Sequence, residues 1–368
     1  MKAISTGNTY KIYDDSLVTF DKLPAQNYVV RFCKMTGFYL EKYSDIEIKE
    51  KIYGVHETKV DKVLKTFNKF ERNLGVILSG DKGIGKSLFA KLLAKKAVEN
   101  NIPVIIVDSF IPDIASYIES IEQEVLVLFD EFDKTFGDIK SRDGETDAQA
   151  SMLTLFDGIS QGKKLFVITC NELKALSSYI VNRPGRFHYH FRFDYPTGEE
   201  IRVYLKDKVK PQYQEEIEKV VHFSNKVALN YDCLRSIGFE LNLGISFEEA
   251  IKDLNIIKTN NTIFNVIAYF ENGDVLTSRS GANLDLFETE KETVYLYDSE
   301  NNNVADIVFC PASSVYNVST GSNIILGDKV SFTWFRNDDN DEFSPLKDVK
   351  CTHVSIVRKE SKKLHYTV

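Results

Sequence analysis

The stretch Gly80-Asp81-Lys82-Gly83-Ile84-Gly85-Lys86-Ser87 constrains what this chain can fold into more than any other part of it. It follows a short apolar run, 76–78, and opens an amphipathic segment, 86–99. A strand that turns through glycines into a helix points successive backbone amides at one spot, and the helix N-terminus adds positive dipole charge there. Phosphate suits such a spot. The spacing places Lys86 on the β- and γ-phosphates of a nucleotide and Ser87 on Mg2+. Gly80, Lys82, Gly83, Ile84, Gly85 and Leu88 complete the expected binding loop.

The surrounding pattern supplies a setting for that loop. Apolar runs at 76–78, 104–107, 125–129 and 165–169 alternate with helical patterns at 86–99, 112–121 and 147–157, with a further helical pattern at 57–71. Such alternation predicts an α/β fold, a parallel sheet covered by helices. Ligands of such sheets sit beyond the carboxyl ends of the strands. Two runs end there in polar groups. Val125-Leu126-Val127-Leu128-Phe129 leads into Asp130 and Glu131, 44 residues after Lys86, and Leu165-Phe166-Val167-Ile168 leads into Thr169-Cys170-Asn171. Asp130 is expected to hold Mg2+ through water and Glu131 to polarise the attacking water. Asn171 is placed to bond the γ-phosphate or that water, although an asparagine after a strand also serves as a turn former.

Downstream lies Asn182-Arg183-Pro184-Gly185-Arg186-Phe187. Together with the glycine-rich loop, the Asp130-Glu131 pair and Thr169-Cys170-Asn171, it resembles the AAA+ ATPases, in their AAA branch. The resemblance extends over residues 50–254. It implies a P-loop NTPase core with a helical lid, ATP and Mg2+ as cofactors, and assembly into a homo-oligomeric ring, expected as a hexamer. It makes Asn171 sensor 1, and Arg183 and Arg186 arginine fingers directed at the neighbouring copy; the competing role for both is a structural salt bridge. Tyr53 and Gly54 look like the segment bordering adenine. Arg235 stands where many AAA+ proteins carry a sensor-2 arginine, with an exposed surface arginine as the equal alternative.

The chain departs from the family pattern in places. The interval from Asn171 to Arg183 is one residue longer than usual, and His188 replaces the aspartate that often follows Arg-Phe. Protein-threading relatives carry an aromatic–hydrophobic–glycine pore loop; here the stretch is Asp108-Ser109-Phe110-Ile111-Pro112-Asp113, without glycine. Phe110 reads more readily as a helix-start staple than as a pore residue. The acidic loop 136–148 is expected to line the pore or to move. His188 and His190 lack a third metal ligand nearby.

Outside this core, residues 1–50 alternate apolar and polar positions and predict a small β-meander, while 255–368 predict a β-rich C-terminal domain. The expected boundaries are therefore 1–50, 51–197 for the nucleotide-binding core, 198–254 for the lid, and 255–368. The net charge of −8 is unevenly placed: +6 over 51–100, −9 over 101–150 and −5 over 255–368. An acidic C-terminal domain speaks against a nucleic-acid coat. Trp334 and Phe335 there read as core rather than as a stacking platform, and the basic tail Arg358-Lys359 with Lys362-Lys363 is too short to reverse the balance. Lysines outnumber arginines 35 to 11, the coding bias of an AT-rich bacterial or phage genome. Five unpaired-looking cysteines, no apolar run of membrane length and no secretory h-region make a cytoplasmic location the expectation. Three functions follow: an ATPase remodelling or disassembling a protein partner, a replication accessory such as a helicase loader acting on DNA–protein complexes, or an ATP-gated scaffold with slow turnover. The first is preferred, because Glu131, Asn171 and Arg186 form a complete hydrolytic set and the C-terminal charge disfavours DNA.

Overall fold

Strands buried on both faces need side chains that are apolar without interruption. In the computed structural model, which describes residues 1–48, 51, 56–137, 148–157, 162–256, 263–317, 320–336 and 343–359, the uninterrupted apolar runs are the central strands of one sheet. The chain divides into two units, Met1–Tyr195 and Pro196–Val368.

In the first unit the strands and helices are β1 (Lys2–Thr6), β2 (Thr9–Tyr13), β3 (Asn27–Cys33), β4 (Gly37–Lys42), α1 (His56–Lys69), β5 (Leu74–Ser79), α2 (Lys86–Glu99), β6 (Val104–Val107), α3 (Ile114–Glu119), β7 (Val125–Phe129), α4 (Phe132–Thr135), α5 (Ala148–Phe156), β8 (Lys164–Cys170) and β9 (Tyr189–Arg192). Seven strands form the main sheet in the order β4-β3-β6-β7-β8-β5-β9. All its neighbours run parallel except β3 and β4. Since β8 lies between β7 and β5, the chain leaves three adjacent strands at Gly80, Asp130 and Asn171. This is a switch point, where successive crossovers depart in opposite directions and open a crevice.

Each face of the sheet has its own core. Val60, Val63 and Phe67 of α1 and Phe89, Leu93 and Ala94 of α2 pack with Val76, Leu78 and Val167. On the other face Ile114 and Ile118 of α3 and Met152 and Phe156 of α5 pack with Ile77, Phe129 and Ile168. Phe129, Phe132, Phe136 and Phe156 form a knot of rings there, with Phe132 and Phe136 stacked at 4.5 Å. Truncating one such buried ring to alanine costs about 3–5 kcal/mol.

The first fifty residues depart from the expected meander. β1 and β2 form a hairpin of their own, but β3 joins the core sheet by parallel pairing with β6, at Asn27↔Val104 and Val29↔Ile106. The reason is visible in the side chains: Asn27, Tyr28, Val29 and Val30 are all buried, which requires cover on both faces. Leu23 is held as well, through its amide and carbonyl to the Gln123 side chain at 2.7 and 3.1 Å.

The second unit begins with helices α6 (Gly198–Lys208), α7 (Ile217–Ser224), α8 (Tyr231–Asn242) and α9 (Phe247–Asp253). Three of the four starts are capped by side chains, those of α6, α8 and α9: Thr197 with Glu200 in a reciprocal box, Asn230 on Cys233, and Ser246 on Glu249. The strands β10 (Ile263–Phe270), β11 (Val275–Thr277), β12 (Ala282–Asn283), β13 (Glu292–Tyr297), β14 (Asn303–Phe309), β15 (Val315–Asn317), β16 (Ser322–Leu326), β17 (Ser331–Trp334) and β18 (Cys351–Arg358) follow. They pair antiparallel in one sheet, and alternate residues such as Phe264, Val266, Ala268 and Phe270 face its core. Phe332 and Trp334 pack against that core. The strand-rich part and the helices belong to one unit, joined by ring contacts of Phe223 with Phe287 and His222 with Tyr316.

Candidate functional site

The glycine-rich loop leaves β5 with backbone geometry that side chains disfavour. Gly80, Gly83 and Gly85 have φ of 141°, 73° and 101°. A Cβ on Gly80 would lie 2.3 Å from the Phe193 carbonyl oxygen and 2.4 Å from Ile84 Cδ1, so the loop closes only around glycine. Gly85 is the N-cap of α2 and brings no capping side chain, and the first turn of α2 carries no acid. The leading amides of a 14-residue helix are thus left to an outside acceptor. Lys86 is 7% exposed, and its ammonium donates to the carbonyls of Gly80 and Asp81 (2.6 Å for the latter) and to Asn171 Oδ1 at 3.0 Å. Burial pulls its pKa below the ordinary lysine value, opposed by the nearby acids Asp133, Asp81 and Asp130. Ser87 follows, exposed in the first turn of α2, and Leu88 is half-buried behind it.

The ends of β7 and β8 are tied together by side chains. Thr169 Oγ1 donates to Asp130 Oδ1 at 2.7 Å and accepts from the Glu131 amide at 2.8 Å. One carboxylate oxygen of Asp133 accepts the amides of Asn171 and Glu172, at 2.8 and 3.2 Å. Glu131 has φ 48° and ψ 48°, left-handed values that turn the backbone sharply after Asp130. Its carboxylate is paired with Lys134, whose hydrogen bond holds it below the usual carboxylate range against a smaller effect of burial; Lys82 and Asn171 act in the same direction. Lys86, Asp130, Glu131 and Asn171 are therefore brought together on three adjacent strand ends. Ser87 and Asp130 offer a hydroxyl and a carboxylate oxygen, the hard donors that suit Mg2+.

The two arginines of the downstream loop differ in their surroundings. Arg186 is 7% exposed and donates to both oxygens of Asp157, one bond being 2.6 Å, and to the Tyr179 carbonyl at 2.6 Å. Arg183 is exposed, its guanidinium 5.6 Å from the centre of the Tyr179 ring. As placed here, Arg186 serves the chain's own loop and Arg183 faces outward. Arg235 belongs to the second unit, on α8, half exposed and 3.1 Å from Asp232. Tyr53 and Gly54, most of the acidic loop at 138–147, and Lys362-Lys363 lie outside the described residues. Phe110 packs on Phe136 at 5.6 Å beside the core. His190 Nε2 shares a hydrogen bond with Ser79 Oγ at 2.6 Å, and the His188 ring lies between those of Phe70 and Tyr189.

Residues 76–195 match the family described as "ATPase family associated with various cellular activities (AAA)". Over these residues the chain is similar to the AAA ATPases. An "AAA ATPase forming ring-shaped complexes" of Kocuria rhizophila is 29% identical over 157 residues, 35% of this chain and 27% of that protein. "Protein mac-1" of Caenorhabditis elegans is 26% identical over 164 residues, 40% of this chain and 20% of that protein. The chain thus spans only about a quarter of the length of these curated relatives.

Three residues of this site are not singled out by sequence reasoning: Asp133, Lys134 and Asp157. Asp133 and Lys134 directly follow the Asp130-Glu131 pair, and a third acid or a base so close to it was the available signal. Asp157 lies 29 residues before its arginine, and nothing local marks it.

Proposed function

We propose that this chain hydrolyses ATP with Mg2+ as a ring of identical copies, hexameric by family likeness, and couples turnover to remodelling or disassembly of a protein partner. One observation carries the hydrolytic reading: the hydrogen bond of the buried Lys86 ammonium to Asn171, which joins the phosphate loop to the end of β8. In this reading the loop amides and Lys86 bind the phosphates, and Ser87 and Asp130 hold Mg2+. The metal, when bound, neutralises charge on the phosphate oxygens. Glu131 accepts a proton from the attacking water, and Asn171 orients that water.

Arg183 supports the ring. An exposed arginine outside its own chain's clasp is available to a neighbour, where a finger contributes about 10³–10⁵ in rate. The Kocuria relative is named for ring-shaped complexes. A protein partner is supported by the −5 charge of 255–368, which disfavours a polyanion. Phe110, packed inward on Phe136, supports remodelling without an aromatic grip at that position.

Steady-state ATP turnover across a concentration series tests the reading. Specific activity should rise with assembly and vanish in Lys86→Ala. Glu131→Gln should keep ATP and trap the ring with its partner bound. Concentration-independent turnover by a monomer would sink the shared site, and DNA stimulation with steep salt dependence would replace the partner by nucleic acid.

A further inference from the structure

We infer that Asp133 is a positioning residue for hydrolysis, acting through Asn171; this rests on the ATPase reading above. The Asp133 side chain spends one oxygen, Oδ2, on two consecutive backbone amides, those of Asn171 and Glu172 at 2.8 and 3.2 Å. The other oxygen, Oδ1, is buried and among the described residues has no hydrogen-bond partner. A carboxylate half satisfied in this way is costly to bury, so the two amide bonds fix its place. They fix Asn171 in return. With its amide anchored, the Asn171 side chain is delivered 3.0 Å from the Lys86 ammonium. The strap runs from α4, just after β7, to the end of β8 and so to the phosphate loop, three segments that no continuous element joins. Asp130 and Thr169 tie the same strand ends one step earlier.

Loss of the strap should displace Asn171 while leaving the phosphate loop intact, and a small displacement of a positioning group costs up to about 10² in rate. Asp133→Ala should therefore lower kcat about tenfold to hundredfold with the nucleotide Kd, read with a fluorescent ATP analogue, within about threefold of the parent. Asp133→Asn, whose amide oxygen can accept the same two bonds, should recover most of the loss. The double variant Asp133→Ala/Asn171→Ala should be no slower than Asn171→Ala, because one acts through the other. Multiplying defects, or an asparagine variant as slow as the alanine, would overturn the assignment. Hydrogen exchange gives an arm that needs no turnover: Asp133→Ala should speed exchange at the amides of Asn171 and Glu172 about tenfold or more, and unchanged exchange there overturns the strap. If that exchange rises while Lys86-dependent turnover is absent, the ATPase reading fails and the strap stands as structure without a positioning role.

Discussion

Asp157 clasps Arg186 with both carboxylate oxygens, while Arg183, three residues earlier in the same loop, lies over the face of Tyr179. Two arginines of one motif thus have different surroundings, one buried against its own chain's carboxylate and one exposed at the surface. The Asp157 carboxyl is held below the usual carboxylate range by the Arg186 hydrogen bond.

The two arginines should separate in mutants. Arg183→Ala should lower ATP turnover by about 10³ or more with an unchanged melting temperature. Asp157→Ala leaves a buried guanidinium short of its partner and should cost about 2–3 kcal/mol, since Asp157 itself is partly solvated. Because the native carboxyl titrates below its ordinary value, that stability is present above about pH 4 and is lost as pH falls through the depressed pKa. Thermal melts and turnover on the same samples decide it: equal melting losses for Arg183→Ala and Asp157→Ala would contradict the division.

Lys164 is fully buried at the start of β8, its ammonium on the carbonyls of Ile121 and Gly162, both at 2.6 Å. Burial pulls its pKa down to about 8. The unfolded chain therefore holds this proton more tightly, and the contribution to stability rises with pH between about 8 and about 10.4. Below that window the cost of the buried charge is present in full. Urea denaturation of the parent and Lys164→Met at pH 7.5, 8.5 and 9.5 should show the parent gaining relative to the variant; a constant difference would count against it.

Gly80→Ala should abolish nucleotide binding and lower the melting temperature, because the new methyl meets the Phe193 carbonyl and the backbone stays at φ 141°. Gly273→Ala is the control, with a positive φ but nothing within 4 Å of the added carbon. Binding of the fluorescent analogue to Gly80→Ala at parental affinity would show that the loop opens more easily than its contacts imply.

The cysteines should react in order. Hydrogen bonds from Met35 and Thr36 lower the Cys33 thiol, whereas burial pushes Cys170 up to about 12 and Cys351 up to about 11. Only the thiolate attacks an alkylating agent. Iodoacetamide at pH 8, followed by peptide mass mapping, should label Cys33 well before Cys170; early labelling of Cys170 would mean that β8 opens.

Local signals served best where one element supplies the whole message. The apolar runs at 76–78, 125–129 and 165–169 are strands because both their faces are buried, and the glycine-rich loop names its own geometry. Reading failed where a residue depends on a distant partner. The pairing of Tyr28 with Ile105 crosses 77 positions, and alternation within 27–33 describes a strand without saying which neighbour it takes. The bond between Asp133 and Asn171 spans 38 positions and exists only because β7 and β8 are adjacent. The pairing of Arg186 with Asp157 spans 29 positions and depends on the loop folding back onto the end of α5.

The place of β3 beside β6 also sets the smallest piece of this protein that can be produced alone. A chain started at residue 51 would keep every nucleotide-site residue yet strip Val104–Val107 of a neighbour, baring one row of its amides and carbonyls. A bared strand flank of apolar residues is sticky, and such a fragment should come out of the cell insoluble. Trimming should stop before Leu23, where the Gln123 side chain takes hold, so that what resembles an appendage in the sequence is kept as the selvedge of the sheet.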